Sequence, residues 1–451
     1  MDLRSALTRV LDNHERWTSR FGEYQVAEAL RVDQAKLESI VDELAERLED
    51  NYPFFHPRYA GQMLKPPHPA AVAGYLAAML VNPNNHALDG GPATARMERE
   101  VVAELATMFG FGTHLGHLTS SGTIANLEAL YVAREIHPGR GVAFSAESHY
   151  THARMCGLLG VEGNAVPVDA AGRMDVGALR ELLGRGTIGT VVVTAGTTGL
   201  GVVDPIHDVL ALCREHGVRV HVDAAYGGFF TLLAGTDGLD AAPWKAIAGC
   251  DSVVVDPHKH GLQPYGCGAV LFADPAVGRF YRHDSPYTYF TSDELHLGEI
   301  SLECSRPGAA AAALWLTLRL FPLTTDGLGA VLAAGRRAAA SWAEMIEASE
   351  DLRLYQRPEL DIVSYFPVTD QRLSAVDAAS ARVMQEGMTD PDDPVFLSVL
   401  STTAAGFGRR HPAYTEDVGR VRVLRSVLMK PESEDYLGTL HRRVEKLAAR
   451  E

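Results

Sequence analysis

The sequence has few cysteines, and their placement excludes several kinds of site. Five cysteines occur in 451 residues, and none of them forms a C-x-x-C pair. Scattered cysteines in a chain of this size argue against a disulfide framework, a zinc knuckle and an iron–sulfur site. We therefore expect no metal centre, and we expect reduced thiols, as in a cytoplasmic protein.

The sequence also has fewer basic than acidic residues, and its apolar runs are short. Lysine and arginine total 41 against 57 acidic residues, a formal net charge of −16. A nucleic-acid binder needs a basic face, and an anionic membrane surface would repel this excess of negative charge. No run approaches the ~20 apolar residues of a membrane span, and the first residues lack a signal-peptide core. We expect neither a nucleic-acid partner nor a membrane, and a cytoplasmic location.

What the chain does contain is typical of a globular protein of several domains. Hydrophobic residues make up 46% and charged residues 22% of it, and at ~150 residues per domain its length predicts two or three domains. An amphipathic helical pattern reaches about residue 50, with one apolar face formed by Leu37, Ile40, Val41, Leu44 and Leu48. The patterns divide the chain into an N-terminal helical arm (1–60), a large α/β domain (61–320) and a small C-terminal α+β domain (321–451).

The large domain alternates helical segments with short apolar runs. Helical patterns cover residues 71–80, 97–109, 124–136, 206–215 and 309–320. Between residues 140 and 275 lie five β-branched runs, at 142–144, 190–194, 218–222, 252–255 and 269–272. Apolar runs without polar alternation indicate strands buried on both faces, and hence a mostly parallel sheet covered by helices. Asp204 and Pro205 predict a helix start, with Asp204 as the capping carboxylate, and Gly217 predicts a left-handed helix end.

Chemistry-bearing residues follow several of these predicted strands. Lysine is scarce, and between Lys65 and Lys430 the only lysines are Lys245 and Lys259. Lys259 comes directly after one buried strand and Asp223 after another. Ligands collect at the carboxyl ends of parallel strands, so these side chains should meet at one edge of the sheet.

Further polar side chains should reach the same edge. His149 and Thr198 follow two other strands, and Ser121 and Gly122 begin a helix whose free amides form a cradle for an anion. A phosphorylated compound with a carbonyl group and a basic ring nitrogen would use all of these groups. Each residue alone has an ordinary alternative: a helix cap for Ser121, a strand-end ion pair for Asp223, a structural histidine for His149 and a solvated side chain for Lys259.

Order and spacing make a resemblance specific. The stretches HVDAAYGG and DPHKHG resemble the cofactor signature of pyridoxal-phosphate enzymes with the aspartate-aminotransferase-like fold (fold type I). Within that fold the chain resembles the group II amino-acid decarboxylases, which include glutamate, aromatic-amino-acid and archaeal tyrosine/aspartate decarboxylases. The resemblance covers residues 50 to 320, and it also rests on HPRYAGQ, TSSGTIAN, ESHYTHARMCGLLGV and TAGTTGLGVVDPI.

The resemblance implies a role for each matched residue. Lys259 would form the Schiff base with pyridoxal 5′-phosphate, and Asp223 would keep the pyridine nitrogen protonated, which makes the ring an electron sink. His149 would stack on one face of the ring, and Ala225 would pack beneath the other. The other coenzyme contacts would be Ser121, Gly122 and His258 at the phosphate and Thr198 near the ring substituents.

The same resemblance implies an amino-acid substrate, which would lose carbon dioxide to give an amine. Gln62 and Arg306 match positions near the substrate, although Arg306 could equally form a structural ion pair. The proton returned to Cα would come from His149, Tyr287 or Tyr289, and we select Tyr289 among the tyrosines. The family further implies a homodimer with a shared active site.

Other activities remain open at this point. HKHGLQPYGCGAVLF and SRPG also resemble the sphingosine-phosphate-lyase clade, whose retro-aldol enzymes carry a second lysine where this chain has Tyr265. An aldehyde-forming decarboxylase or an aminotransferase would share nearly all the cofactor residues, and a non-catalytic protein of the same fold would lack the bound coenzyme. The sequence does not identify which amino acid is the substrate.

Overall fold

The computed structural model describes residues 2–282 and 300–449. The N-terminal arm contains two helices, α1 (Leu3–Thr18) and α2 (Gln34–Leu48). Asp33 caps α2 by accepting a hydrogen bond from the backbone N–H of Lys36. The amphipathic helical pattern up to about residue 50 is therefore confirmed, but it is divided into two helices, and the apolar residues of α2 remain exposed in the single chain.

A seven-stranded sheet forms the centre of the large domain, with strand order β1-β7-β6-β5-β4-β2-β3. The pairs β2–β3, β2–β4, β4–β5 and β5–β6 are parallel, and β7 runs antiparallel to both of its neighbours. The mostly parallel sheet is thus confirmed. The strands are β1 (Leu115–Thr119), β2 (Gly141–Ser145), β3 (Gly163–Val166), β4 (Ile188–Thr194), β5 (Arg219–Asp223), β6 (Ser252–Val255) and β7 (Gly268–Phe272).

Helices cover this sheet, and their apolar faces build the main core. They are α3 (Pro69–Met79), α4 (Pro92–Phe109), α5 (Gly122–Ile136), α6 (Thr151–Leu159), α7 (Val176–Leu183), α8 (Ile206–His216), α9 (Ala242–Ala246) and α10 (Gly308–Leu320). Short 3-10 turns occupy Ser19–Phe21, Glu28–Leu30, Gly228–Leu233, Ile247–Gly249 and Pro275–Phe280. Strands β2, β4, β6 and β7 are buried along their whole length, as their unbroken apolar runs predicted.

Two strands of the large sheet were missed, and one predicted helix cap is wrong. Strands β1 and β3 carry glycine and polar residues in place of a continuous apolar run. At the start of α8 the N-cap position belongs to Pro205. The Asp204 carboxylate instead accepts hydrogen bonds from the backbone N–H groups of Met174 and Thr194, both at 2.8 Å, because it is buried beside the end of β4. The left-handed helix end at Gly217 is confirmed, with φ +63°.

The C-terminal part is a smaller α+β unit, as predicted. Its four-stranded antiparallel sheet has the order β10-β11-β9-β8. The elements are α11 (Leu328–Ala348), β8 (Leu352–Gln356), β9 (Ile362–Pro367), α12 (Leu373–Thr389), β10 (Ser398–Thr403), α13 (Ala404–Gly408), β11 (Arg420–Val427) and α14 (Ser433–Ala448). The domain boundaries at residues 60 and 320 stay predictions.

All five cysteines are free thiols. Cys156, Cys213, Cys250 and Cys267 are buried free thiols, and Cys304 is an exposed one. Within residues 2–282 and 300–449, no helix combines the length and the apolar character that crossing a membrane requires.

Candidate active site

One cavity of about 190 Å³ opens at the carboxyl edge of the large sheet. The side chains that the sequence predicted to meet there do so. The lining includes all eight predicted coenzyme contacts, which are Ser121, Gly122, His149, Thr198, Asp223, Ala225, His258 and Lys259. They come from distant parts of the chain, and the parallel strand order brings them together.

The start of α5 supplies one wall of the cavity. Ser121 is the N-cap, and its side chain accepts a hydrogen bond from the backbone N–H of Ile124. The first N–H groups of a helix have no partner inside the helix, so Gly122 and Thr123 present an anion-binding end to the cavity. Gly122 is required here, because a Cβ would lie 2.6 Å from Asp256 Oδ2.

Asp223 ends β5 and is held as a carboxylate. Its Oδ2 accepts a hydrogen bond from His152 Nε2 at 2.8 Å, and its Oδ1 accepts one from the backbone N–H of Ala225 at 3.2 Å. Burial alone would raise the pKa of Asp223. The hydrogen bond and charge of His152, together with the charge of Lys259, outweigh burial and hold this pKa well below its usual value.

Lys259 lies in the loop after β6, with Asp256 as its ion-pair partner. The Nζ atom is 2.9 Å from Asp256 Oδ2, and Asp256 is itself buried. Asp256 and His152 had no predicted role, although both stand inside the quoted motifs. Each supports a predicted residue through a contact that only the folded chain creates.

His149 stands on the loop after β2 and starts the turn into α6. The backbone N–H of Thr151 donates to His149 Nδ1 at 3.4 Å, and the Thr151 hydroxyl lies 2.8 Å from the same nitrogen. A nitrogen that accepts from an N–H carries no proton, so the proton belongs on Nε2. Burial is the main cause that lowers the pKa of His149, which favours the neutral ring.

The two predicted substrate contacts lie away from the cavity lining. Arg306 is buried in a cluster in which its guanidinium pairs with Glu98 and donates to the carbonyls of Leu118 and Asn85. This is the structural ion pair that the sequence left open. Gln62 is exposed, and its Oε1 lies 3.4 Å from the guanidinium of Arg425. Tyr287 and Tyr289 fall outside the described residues.

Arg425 is a residue that the sequence analysis missed. It lies on β11 of the C-terminal sheet and is buried. Its guanidinium donates to the carbonyls of Thr198 at 2.7 Å and Gly199 at 2.9 Å, next to the cavity wall. No motif marks it, because it comes from a part of the chain where the resemblance is weak.

Comparison with known proteins agrees with this geometry. Residues 24–367 match the model described as "Pyridoxal-dependent decarboxylase conserved domain". The chain belongs to the pyridoxal-dependent decarboxylase family. The match covers most of the sequence, so the chain is a pyridoxal-phosphate-dependent amino-acid decarboxylase, and the retro-aldol alternative is not favoured.

Two relatives named as amino-acid decarboxylases cover most of this chain. An L-tyrosine decarboxylase of Enterococcus faecium is 27% identical over 95% of this chain and 92% of its own. A probable L-aspartate decarboxylase of Pyrococcus abyssi is 28% identical over 73% of this chain and 84% of its own. The crystal structure of mouse CSAD superimposes with a TM-score of 0.80 at 20% identity, over 99% of this chain and 98% of that one, which shows the same fold.

The residues around the cavity fit pyridoxal phosphate. His258 Nδ1 and Asp256 Oδ1 are buried and have no hydrogen-bond partner among the described residues, which leaves polar atoms for a ligand. The start of α5 suits the phosphate, and Asp223, whose pKa is held low, suits a protonated pyridine nitrogen. Lys259 and the small side chain of Ala225 line the same space.

Proposed function

We propose that this decarboxylase acts on an aromatic or an acidic L-amino acid, with L-tyrosine and L-aspartate as the first candidates. The relatives that cover most of the chain carry the names of tyrosine and aspartate decarboxylases, which supports this choice. The observation that carries the site assignment is that Lys259 and Asp223 line one cavity together with the anion-binding start of α5.

Lys259 is the residue that would hold the coenzyme covalently. Asp256 pairs with its ammonium group and fixes the position of Nζ. When bound, the coenzyme supplies an electron sink for the breaking bond between Cα and the carboxylate. Asp223 keeps the proton on the ring nitrogen, and His152 and the N–H of Ala225 hold this carboxylate in place.

His149 is proposed to hold or return the proton at Cα. Its ring is kept largely neutral by burial, and the contact with Thr151 sets which nitrogen carries the hydrogen. The N–H of a neutral imidazole is too weak an acid to protonate Cα, so His149 would first take up a proton and return it from the imidazolium form. Tyr289 stays a second candidate donor from the sequence.

Arg425 is proposed to orient the substrate carboxylate in place of Arg306. It fixes the loop of Thr198 and Gly199 and adds a positive charge near the cavity. Gln62 lies beside the same guanidinium. The guanidinium is buried and already donates to Thr198, Gly199 and Gln62, so it would act on a carboxylate at this wall through its positive charge.

We also propose a cytoplasmic homodimer. The helical arm exposes a row of large apolar side chains along α2, and a second copy of the chain would bury such a row. Sedimentation at several concentrations measures this state directly.

The decisive test compares two lysine variants. Lys259→Ala should remove the visible absorption band that borohydride bleaches and lower decarboxylation by at least about 10³-fold, because no other described side chain replaces the amine at this position. Lys245→Ala, an exposed lysine on α9, is the matched control and should keep both properties. A panel of tyrosine, tryptophan, DOPA, glutamate and aspartate, scored by carbon dioxide and amine, identifies the substrate. Retention of the band in Lys259→Ala would refute the assignment.

A further inference from the structure

A buried cluster of three polar residues joins the C-terminal unit to the cavity loops. Tyr226 donates its hydroxyl hydrogen to Asp361 Oδ1 at 2.5 Å, and His260 Nε2 lies 2.8 Å from Asp361 Oδ2. His260 Nδ1 lies 3.0 Å from the backbone carbonyl of Tyr226. We call these three residues the Asp361 cluster. All three are at most 5% exposed, so water does not compete for these hydrogen bonds.

The cluster has a definite charge arrangement. Both ring nitrogens of His260 face oxygen atoms, one of a carbonyl and one of a carboxylate, and neither oxygen can donate a hydrogen. The ring therefore donates from both nitrogens and forms an ion pair with Asp361. Burial raises the pKa of Asp361, but the charge of His260 and the hydrogen bonds from His260 and Tyr226 outweigh burial and lower it.

Two members of the cluster lie close in sequence to Lys259 and Asp223, the two residues that define the site. His260 directly follows Lys259, and Tyr226 stands three residues after Asp223 and itself lines the cavity. Asp361 belongs to the other unit, because it precedes β9 and its backbone carbonyl accepts from the N–H of Leu428 at 2.8 Å. One carboxylate thus contacts the β5 loop and the β6 loop at the same time.

Packing around the cluster leaves these loops little freedom. Leu360, the neighbour of Asp361, lies against Gly196 and Gly227 so closely that a Cβ on either glycine would come within 3.3 Å of its methyl group. A Cβ on Gly227 would also lie 2.3 Å from the carbonyl oxygen of Ala195. The side chain of Leu360 therefore packs against the loops after β4 and β5, and the carboxylate of Asp361 binds the loops after β5 and β6.

We propose that Asp361 is a positioning residue that sets the distance between Asp223 and Lys259. The inference rests on the proposed roles of these two residues. Misplacement of a reacting group by about 1 Å lowers rates on the order of 10²-fold, so a carboxylate that fixes two loops affects turnover without touching the substrate.

The test uses the holoenzyme and the conservative variant Asp361→Asn. We expect kcat to fall about 10- to 100-fold, the KM for the amino acid to change less than about threefold, and the visible circular dichroism of the bound coenzyme to change. Asp361→Glu, which keeps the charge, should recover part of kcat. Asp377→Asn is the matched control, since Asp377 pairs with Arg422 in the same unit, and it should leave kcat and the coenzyme spectrum unchanged.

Should Asp361→Asn fail to fold, Tyr226→Phe replaces it as a test. This variant removes one hydrogen bond and leaves the ion pair with His260 intact, so a smaller change of the same spectrum and of kcat is expected. An unchanged spectrum together with an unchanged kcat per folded, coenzyme-loaded molecule would overturn the positioning role. That result is separable from failure of the proposed function, because the parent enzyme would still show a borohydride-sensitive band that depends on Lys259.

Discussion

Arg306 and Arg425 are both buried arginines, but their surroundings differ. Arg306 lies against the carboxylate of Glu98, which also accepts from the N–H of Leu118 and the side chain of Asn85. Arg425 lies against the carbonyls of Thr198 and Gly199 at the cavity wall. Arg306 forms an ion pair with Glu98, whereas the hydrogen bonds of Arg425 among the described residues go to backbone carbonyls and to the uncharged side chains of Gln62 and Ser398. Burial and residue type therefore do not distinguish the two arginines, and the nature of their partners is the ground on which we propose that Arg425 serves the substrate.

The largest expected effect tests the structural side of this comparison. Arg306→Met should destabilise the fold by about 3–5 kcal/mol, because it leaves Glu98 buried without its counter-charge. Urea unfolding measures the loss. Arg337→Ala is the control, since its pair with Glu434 is half exposed and should contribute at most about 1 kcal/mol. Adding Glu98→Gln to Arg306→Met should recover part of the stability. A KM that rises while the stability stays constant would show that Arg306 serves the substrate.

A pH experiment extends the comparison to a buried carboxylate that is held only by backbone groups. Burial raises the pKa of Asp204 from 3.8 to about 6, and the N–H groups of Met174 and Thr194 offset this only in part. The folded state thus binds the proton more tightly than the unfolded state. This tighter proton binding by Asp204 stabilises the folded state by about 3 kcal/mol below pH 3.8. The stabilisation is lost as the pH rises through 6.

The variant Asp204→Asn isolates this contribution. It has no proton to lose, so the free energy of unfolding should depend less on pH between 4 and 6 than it does in the parent protein. The absolute stability of the variant is not the readout, because the amide can accept from only one of the two N–H groups without a clash. Parallel curves for parent and variant would show that Asp204 is not the titrating group.

The smallest expected effect concerns Arg425. Arg425→Gln should raise the KM for the amino acid about 10- to 100-fold, since a hydrogen bond to a charged group contributes about 1.5–3 kcal/mol. The variant retains an amide that can still donate to the loop of Thr198 and Gly199. In Arg425→Lys the KM should rise less, because the positive charge remains although the planar pair of N–H donors is lost. Equal KM values for parent and Gln variant would contradict a role of Arg425 in substrate binding.

The coenzyme contacts were predictable for a specific reason. Ser121, Asp223 and Lys259 each stand where a buried strand or a helix start is legible in the sequence, and parallel strands bring their ends to one edge. Arg306 and Gln62 were chosen from resemblance alone, and neither lines the cavity. Asp204 was misread because a carboxylate before proline looks the same whether it caps a helix or binds the neighbouring strand.

The sequence by itself determined the class of this protein. Continuous β-branched runs specify strands buried on both faces, and the motifs that follow them carry the resemblance that implies the coenzyme. Only the tertiary structure decided which charges are paired. His152 with Asp223, Asp256 with Lys259, Glu98 with Arg306 and Asp361 with His260 are contacts between side chains. Three of these four pairs join positions far apart in the chain, so no local pattern encodes them, and the folded geometry alone sets which arginine, histidine or carboxylate can still act on a ligand.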